Sequence, residues 1–237
     1  MKAYTSNNIR NIAVLGHGGK GKTTLCEAML YIAGASDRLG RVADGNTVLD
    51  FDSEEKRRKS SVSSAIAALE WDNTKLNIID APGLFDFEGG AAEAVRAAEA
   101  VLIVTSAGSG VDVGTEKAFR AAEKKGAAKF FAVTKTDSDH RNFYKTFDAL
   151  KEVYGNKLCP TIIPYMEGNI TKCYVNLMTG MAFSYDENGK ATKVPVPEDS
   201  VIEEMTSAFM EAVATTGDAL MEKFFEGEKF TKEEILK

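Results

Sequence analysis

Gly16-His17-Gly18-Gly19-Lys20-Gly21-Lys22-Thr23 fits the pattern G-x-x-x-x-G-K-[ST] and lies between two different apolar periodicities. Before it, Ile12-Ala13-Val14-Leu15 reads as a buried strand; after it, Leu25, Met29 and Ile32 share one face of a helix starting near Lys22. A plain glycine-rich turn would need neither neighbour. Strand, loop and helix together make a cradle for phosphate. Gly16 and Gly21 let the backbone bend until its N–H groups face the phosphates, Lys22 neutralises the β and γ oxygens, and Thr23 offers a hydroxyl to magnesium. The expected contacts run through His17, Gly18, Gly19, Lys20, Gly21, Lys22, Thr23 and Thr24. Lys20 is unusual inside such a loop and is expected to face solvent. The ligand class this implies is a nucleoside triphosphate.

Three further apolar runs follow, Leu76-Asn77-Ile78-Ile79, Val101-Leu102-Ile103-Val104 and Phe130-Phe131-Ala132-Val133. Their near-continuous hydrophobicity suits parallel strands covered on both faces. Helix-like stretches at 90–98, 113–125 and 141–154 supply the crossovers of a doubly wound α/β sheet, whose ligands bind outside the carboxyl ends of the strands. Two polar elements fall at those ends. Asp80-Ala81-Pro82-Gly83 puts a carboxylate beside the loop, as a magnesium partner acting through water, and the Gly83 N–H within reach of a γ-phosphate. Thr134-Lys135-Thr136-Asp137 resembles the N-K-x-D element that reads guanine: Asp137 would accept from N1–H and the exocyclic amine, and the Lys135 stem would cover the ring. Thr134 stands where that element has Asn, at a cost of ~0.5–1.5 kcal/mol for one neutral hydrogen bond, so weaker binding with guanine preference kept is expected.

With Asp44-Gly45-Asn46-Thr47, Gly114-Thr115-Glu116-Lys117 and the tail Leu220-Met221-Glu222-Lys223-Phe224-Phe225-Glu226-Gly227-Glu228, these elements resemble the GTPase domain of bacterial elongation factor G, in particular its elongation-factor-G-like paralogues. The resemblance runs from about Lys2 to the last residue. It implies a P-loop NTPase fold of class α/β, a mostly parallel sheet over residues 1–157, with a small acidic α+β insert over residues 158–237. Strands of the insert are expected around 161–164, 174–177 and 182–185, with a turn at Asn188-Gly189, helices from Glu198 and an apolar seam through Met205, Phe209 and Val213. The resemblance also implies that the chain is the N-terminal part of a longer translation factor, with the sheet one strand short and the ribosome-reaching domains absent. His17 is then part of a family pattern, not a proton carrier.

Residues 37–62 have the length and polarity of a switch loop ordered by magnesium and γ-phosphate. The alignment places Ser61 where the family has the Thr that contacts both, although Ser60, Ser63 and Ser64 stand close enough to compete. Lys22, Gly83 and Ser61 are the catalytic candidates, and Thr23, Ser61 and Asp80 the magnesium set. Leu84 stands where elongation factor G has a water-orienting His; leucine neither donates nor accepts a hydrogen bond, so slow hydrolysis is expected. With Phe85 and Phe87 it is read as a hydrophobic gate over the nucleotide. Trp71 is read as packing a hairpin end, and His140 as a polar surface residue.

The net charge is −6, yet residues 198–237 hold eleven acidic residues against four lysines, leaving the remainder at +1. Bare attraction to nucleic acid is not the main binding force, although Lys56-Arg57-Arg58-Lys59 is either solvated or touches a phosphate backbone. The three cysteines lack metal-like spacing and fit a reducing cytoplasm, and no run approaches the ~18–20 apolar residues of a membrane span. The first reading is a slow GTPase using GTP/GDP and Mg²⁺ on the ribosome, including its stalk protein by resemblance, with ribosomal RNA met mainly through absent domains. The alternative is a nucleotide-gated ribosome-binding module with vestigial hydrolysis. An ATP-dependent kinase or ATPase fits the loop but leaves Asp137 and the D-x-P-G element unexplained.

Overall fold

The computed structural model describes residues 3–136, 142–155, 158–168, 170–186, 189–228 and 230–235. The chain clusters into two compact units, Met1–Thr136 with Tyr144–Thr146, and Asp137–Phe143 with Phe147–Lys237.

The first unit is a five-stranded sheet in the order β2-β3-β1-β4-β5. It is formed by β1 (Ile9–Leu15), β2 (Ala65–Trp71), β3 (Thr74–Asp80), β4 (Ala100–Ser106) and β5 (Ala128–Thr134). β1 pairs in parallel with β3 and β4, and β4 with β5; β2 joins as an antiparallel edge. Helices α1 (Lys22–Ile32), α3 (Glu88–Ala97) and α4 (Val113–Lys125) make the crossovers, and the short α2 (Ser53–Arg58) interrupts the loop before β2.

Both faces of the sheet are covered, so alternate residues of one strand serve different cores. Ala13 and Leu15 of β1 pack with Ala94, Val95 and Ala122, while Val14 packs with Cys26, Leu30, Leu49 and Leu69. Two covered faces remove any polar alternation, hence the continuous apolar runs. Of the expected face of α1, Leu25 and Met29 pack half-buried against the core around Val14, whereas Ile32 is 66% exposed at the last turn; the fully buried residues are Lys22, Thr23, Cys26, Glu27 and Leu30. Trp71 does close a hairpin, opposite Thr74, but projects into solvent at 57% exposure. Asp72 and Asn73 turn that hairpin with φ of 43° and 59°, the left-handed pair a tight two-residue connection requires.

The second unit carries an antiparallel sheet in the order β6-β7-β8-β9, of β6 (Ile162–Glu167), β7 (Ile170–Asn176), β8 (Met181–Tyr185) and β9 (Ala191–Val194). Gly189 takes the left-handed φ of 76° that the expected turn needs; Asn188 lies outside the described residues. Two long helices follow α5 (Phe143–Tyr154) and this sheet: α6 (Ser200–Ala214), capped by Asp199 on the Val201 N–H, and α7 (Asp218–Phe225). A last turn, α8 (Lys232–Ile235), ends the described chain. The seam of α6 is Ile202, Met205 and Phe209, with Val213 half-buried.

Candidate functional site

The loop after β1 is shaped by close approaches that exclude side chains. Gly16 has φ 138°, and a Cβ there would collide with the Val104 carbonyl of β4. Gly21, at φ 89°, is the N-cap of α1, so the helix opens directly onto the loop with its free N–H groups. Lys22 is buried and arches back to donate to the His17 carbonyl at 3.1 Å. Burial pushes its ammonium below the ordinary lysine value, with Asp80 foremost among the charges that oppose the shift. Gly83, just past β3, presses on the same loop: a Cβ there would collide with Lys22 Nζ and lie 2.8 Å from the Gly18 nitrogen. The resulting cavity, of about 230 Å³, is lined by Gly18, Gly19, Gly21, Lys22, Thr23, Thr24, Val42, Asp50, Lys59, Ser60, Ser61, Gly83 and Lys135.

Beneath the cavity runs a chain of oxygens. The Thr23 hydroxyl donates to Asp80 Oδ2 at 2.6 Å and lies 3.2 Å from the Ser61 hydroxyl, which donates to Asp50 Oδ1 at 2.7 Å. Of the serines weighed from sequence, Ser61 is the one that reaches Thr23, while Ser64 donates to the Gly90 carbonyl at 2.9 Å. Asp80 is 1% exposed, and burial pushes its carboxyl up to about 7; burial raises Asp50 as well. The second carboxylate oxygens, Asp50 Oδ2 and Asp80 Oδ1, are buried without a hydrogen bond. Two carboxylates with unused oxygens and two hydroxyls are the hard donors that suit magnesium, which takes few protein ligands and completes its shell with phosphate and water. Among the described residues no cluster of three or more His, Cys, Asp or Glu is spaced for a metal, so a cation here depends on this mixed set.

Asp50 and Glu27 are site-building residues that the sequence reading did not find. Glu27, fully buried on α1, accepts the Val48 and Leu49 N–H groups at 2.8 and 3.0 Å. Glu55 of α2 accepts those of Val62 and Ser63 at 2.9 and 3.1 Å. Together they clamp the stretch that delivers Asp50 and Ser61. A lone acid in a polar loop has no periodic signature, and in a helical pattern Glu27 reads as a solvent residue.

Beside the cavity and not among its lining residues, Leu84 lies against the loop: a Cβ built on Gly18 would come 2.9 Å from Leu84 Cδ2. Phe85 sets its ring edge-on to His17 at 5.4 Å, beneath the Lys117 ammonium, which also pairs with Glu88. His17 therefore packs outside the cavity, its backbone against Gly114 of α4.

At the end of β5, the Thr134 hydroxyl lies 2.6 Å from the Lys20 carbonyl and 3.1 Å from that of Thr105, and Lys135 Nζ donates to the Gly19 carbonyl at 2.6 Å. Lys20 does not face solvent: its ammonium donates to Ser109 Oγ at 2.7 Å and stands 3.2 Å from Asp112, because the loop before α4 folds against it. Asp137 and His140 lie outside the described residues.

The family described as "Elongation factor Tu GTP binding domain" matches residues 7–229. The elongation factor G-like proteins of two Mycobacterium tuberculosis strains, CDC 1551 / Oshkosh and H37Rv, are each 33% identical over 223 residues, covering 93% of this chain and 30% of the relative. A crystal structure of a protein from Thermus thermophilus superposes with a TM-score of 0.87 at 36% identity, covering 96% of this chain and 34% of that one. The chain thus spans about a third of the length of these relatives. The family match spans nearly the whole chain and the mostly parallel sheet fits it: the chain belongs to the elongation factor Tu GTP-binding domain family.

Proposed function

We propose that the chain binds GTP and GDP with magnesium and hydrolyses GTP slowly, as the nucleotide-operated part of a translation factor that works on the ribosome. In this reading residues 1–157 hold nucleotide, and the acidic residues 158–237 offer a surface to a protein partner such as the ribosomal stalk. The observation that carries it is the Thr23–Asp80 and Ser61–Asp50 oxygen chain lying directly under a cavity closed by Lys22 and Gly83. Thr23, Ser61 and Asp80 would hold magnesium, which supplies charge neutralisation to the β and γ oxygens when bound. The loop N–H groups and Lys22 orient the phosphates, and the Gly83 N–H meets the terminal one. Thr134 and Lys135 brace the loop from the base side, and Asp137 is the proposed guanine reader.

Phosphoryl transfer gains most of its rate from positioning and electrostatics, and Leu84 offers neither to an attacking water. Its place over Gly18 favours the second reading, a ribosome-binding module gated by nucleotide with vestigial cleavage. Titration of the chain with labelled GDP and magnesium, against ATP as competitor and Lys22→Ala as control, tests the binding proposal; displacement by ATP as easily as by GDP would remove guanine preference. Single-turnover GTP cleavage with and without ribosomes divides the two readings, since stimulation removes the second.

A further inference from the structure

We infer that Lys59 is a phosphate-contacting cation by which this chain distinguishes a nucleoside triphosphate from a diphosphate, an inference that rests on the nucleotide-binding reading above. The basic run Lys56-Arg57-Arg58-Lys59 is divided by the fold. Arg57 and Arg58 share the single carboxylate of Glu54, one turn back on α2, which holds both guanidiniums against the helix. The Lys59 backbone N–H donates to the Glu55 carbonyl, but its side chain makes no ion pair or hydrogen bond among the described residues, and the residue lines the same cavity as Lys22, Gly83 and Ser61. Its backbone sits at φ 54°, ψ 40°, the left-handed region that an L residue with a long side chain rarely takes.

That conformation ends α2 and turns the chain into Ser60 and Ser61. Glycine would serve the turn better, so the lysine side chain is kept at a position that the backbone disfavours. A cation there has a use. Lys22 is the other cation of the cavity beside Lys135, whose ammonium is engaged with the Gly19 carbonyl. A triphosphate brings one more charged group than a diphosphate to the side where Ser61 and Gly83 close the cavity. Lys59 stands two residues from Ser61 and enters from the same segment, so its ammonium meets the added charge.

The test compares Lys59→Gly, Lys59→Gln and Lys59→Arg with the unaltered chain, by titration of fluorescent GDP and of a non-hydrolysable GTP analogue in magnesium buffer. Lys59→Gly suits the left-handed backbone, so its thermal unfolding temperature holds or rises and misfolding does not confuse the result. Loss of a charge-assisted contact is expected to weaken the triphosphate analogue about tenfold in the Gly and Gln variants, with GDP affinity within about twofold of the unaltered chain. Lys59→Arg keeps the charge and retains the preference. Equal losses for GDP and the triphosphate, no loss for either, or an Arg variant that behaves like Gln would each overturn the assignment while leaving nucleotide binding itself standing. An unaltered chain that binds neither nucleotide removes the binding reading and this inference with it.

Discussion

Burial pushes the Asp80 carboxyl up to about 7, against the opposing hydrogen bond from Thr23 and the charge of Lys22. Because the folded protein without metal holds this proton more tightly than the unfolded chain, whose value is 3.8, Asp80's contribution to stability is greatest below about pH 4. It falls as pH rises from there to about 7 and is constant above. A cation reverses the preference by displacing the proton, so magnesium binding weakens by up to about tenfold per pH unit below 7. Thermal shift with magnesium and GDP at pH 6 and pH 8 is expected to give the larger stabilisation at pH 8. Asp80→Asn should reduce both the pH dependence and the magnesium effect, leaving what Asp50 contributes, and without metal at pH 8 it should unfold at the same temperature as the unaltered chain or higher. Thr134 carries a different constraint, one hydroxyl proton for two carbonyls, those of Lys20 and Thr105. An amide has two protons to give, so Thr134→Asn is expected to slow GDP release by an amount worth ~0.5–1.5 kcal/mol, read by displacement of a labelled nucleotide.

The first turn of α4 joins the phosphate loop to the segment after β3. Asp112 caps it, accepting from the Thr115 N–H at 2.9 Å and the Thr115 hydroxyl at 3.0 Å, while holding Lys20 at 3.2 Å with the pair only 16% and 20% exposed. Gly114 lies against the His17 backbone, and Lys117 reaches Glu88 and Phe85. Gly114→Ala would place a methyl 2.6 Å from His17 Cα, an overpacking expected to cost about 1–3 kcal/mol in urea unfolding. Lys20→Met is expected to cost about 1 kcal/mol or less, the measure of a partly screened pair, but to speed GDP release by freeing the loop. The sequence displays α4 clearly: an amphipathic run is stopped by Gly126 at φ 70°, and the observed Val113–Lys125 is the stretch expected. The start of α1 is as legible, and so are Leu25 and Met29 of its packed face, yet the burial of Glu27 is not, because Glu27 and the segment it clamps are far apart in sequence. β2 is obscured for a related reason. As an edge strand it buries Ala65 and Leu69 but turns Ile66 outward, so neither alternation nor a continuous run marks it. Asp50 and the Lys20 contacts likewise arise from tertiary approach, which local periodicity does not encode.

The chain as a whole carries separate cores in its two units. One lies on the two faces of the sheet around β1; in the other unit Ile163, Val175 and Ala182 of the antiparallel sheet are buried, and so are Ile202, Met205 and Phe209 of α6. Units with their own cores need not unfold together, so calorimetry of the full chain is expected to resolve two transitions where the two cores differ in stability. The cavity and its oxygen chain belong to the first unit. Ligand that binds only the folded site stabilises by RT ln(1 + [L]/Kd), about 2.7 kcal/mol at a hundredfold excess over Kd, and this should move one transition alone. Charge supplies an independent handle on the other. Residues 198–237 carry eleven acidic residues against four lysines, a self-repelling stretch whose strain falls as salt screens it. Raising sodium chloride from about 0.05 to about 0.3 M is therefore expected to lift the transition that magnesium and GDP leave in place, and to move the nucleotide-sensitive one less. A single transition that shifts with both ligand and salt would mean that the two cores are coupled into one cooperative fold, so that occupancy of the phosphate loop stabilises the acidic helices as well.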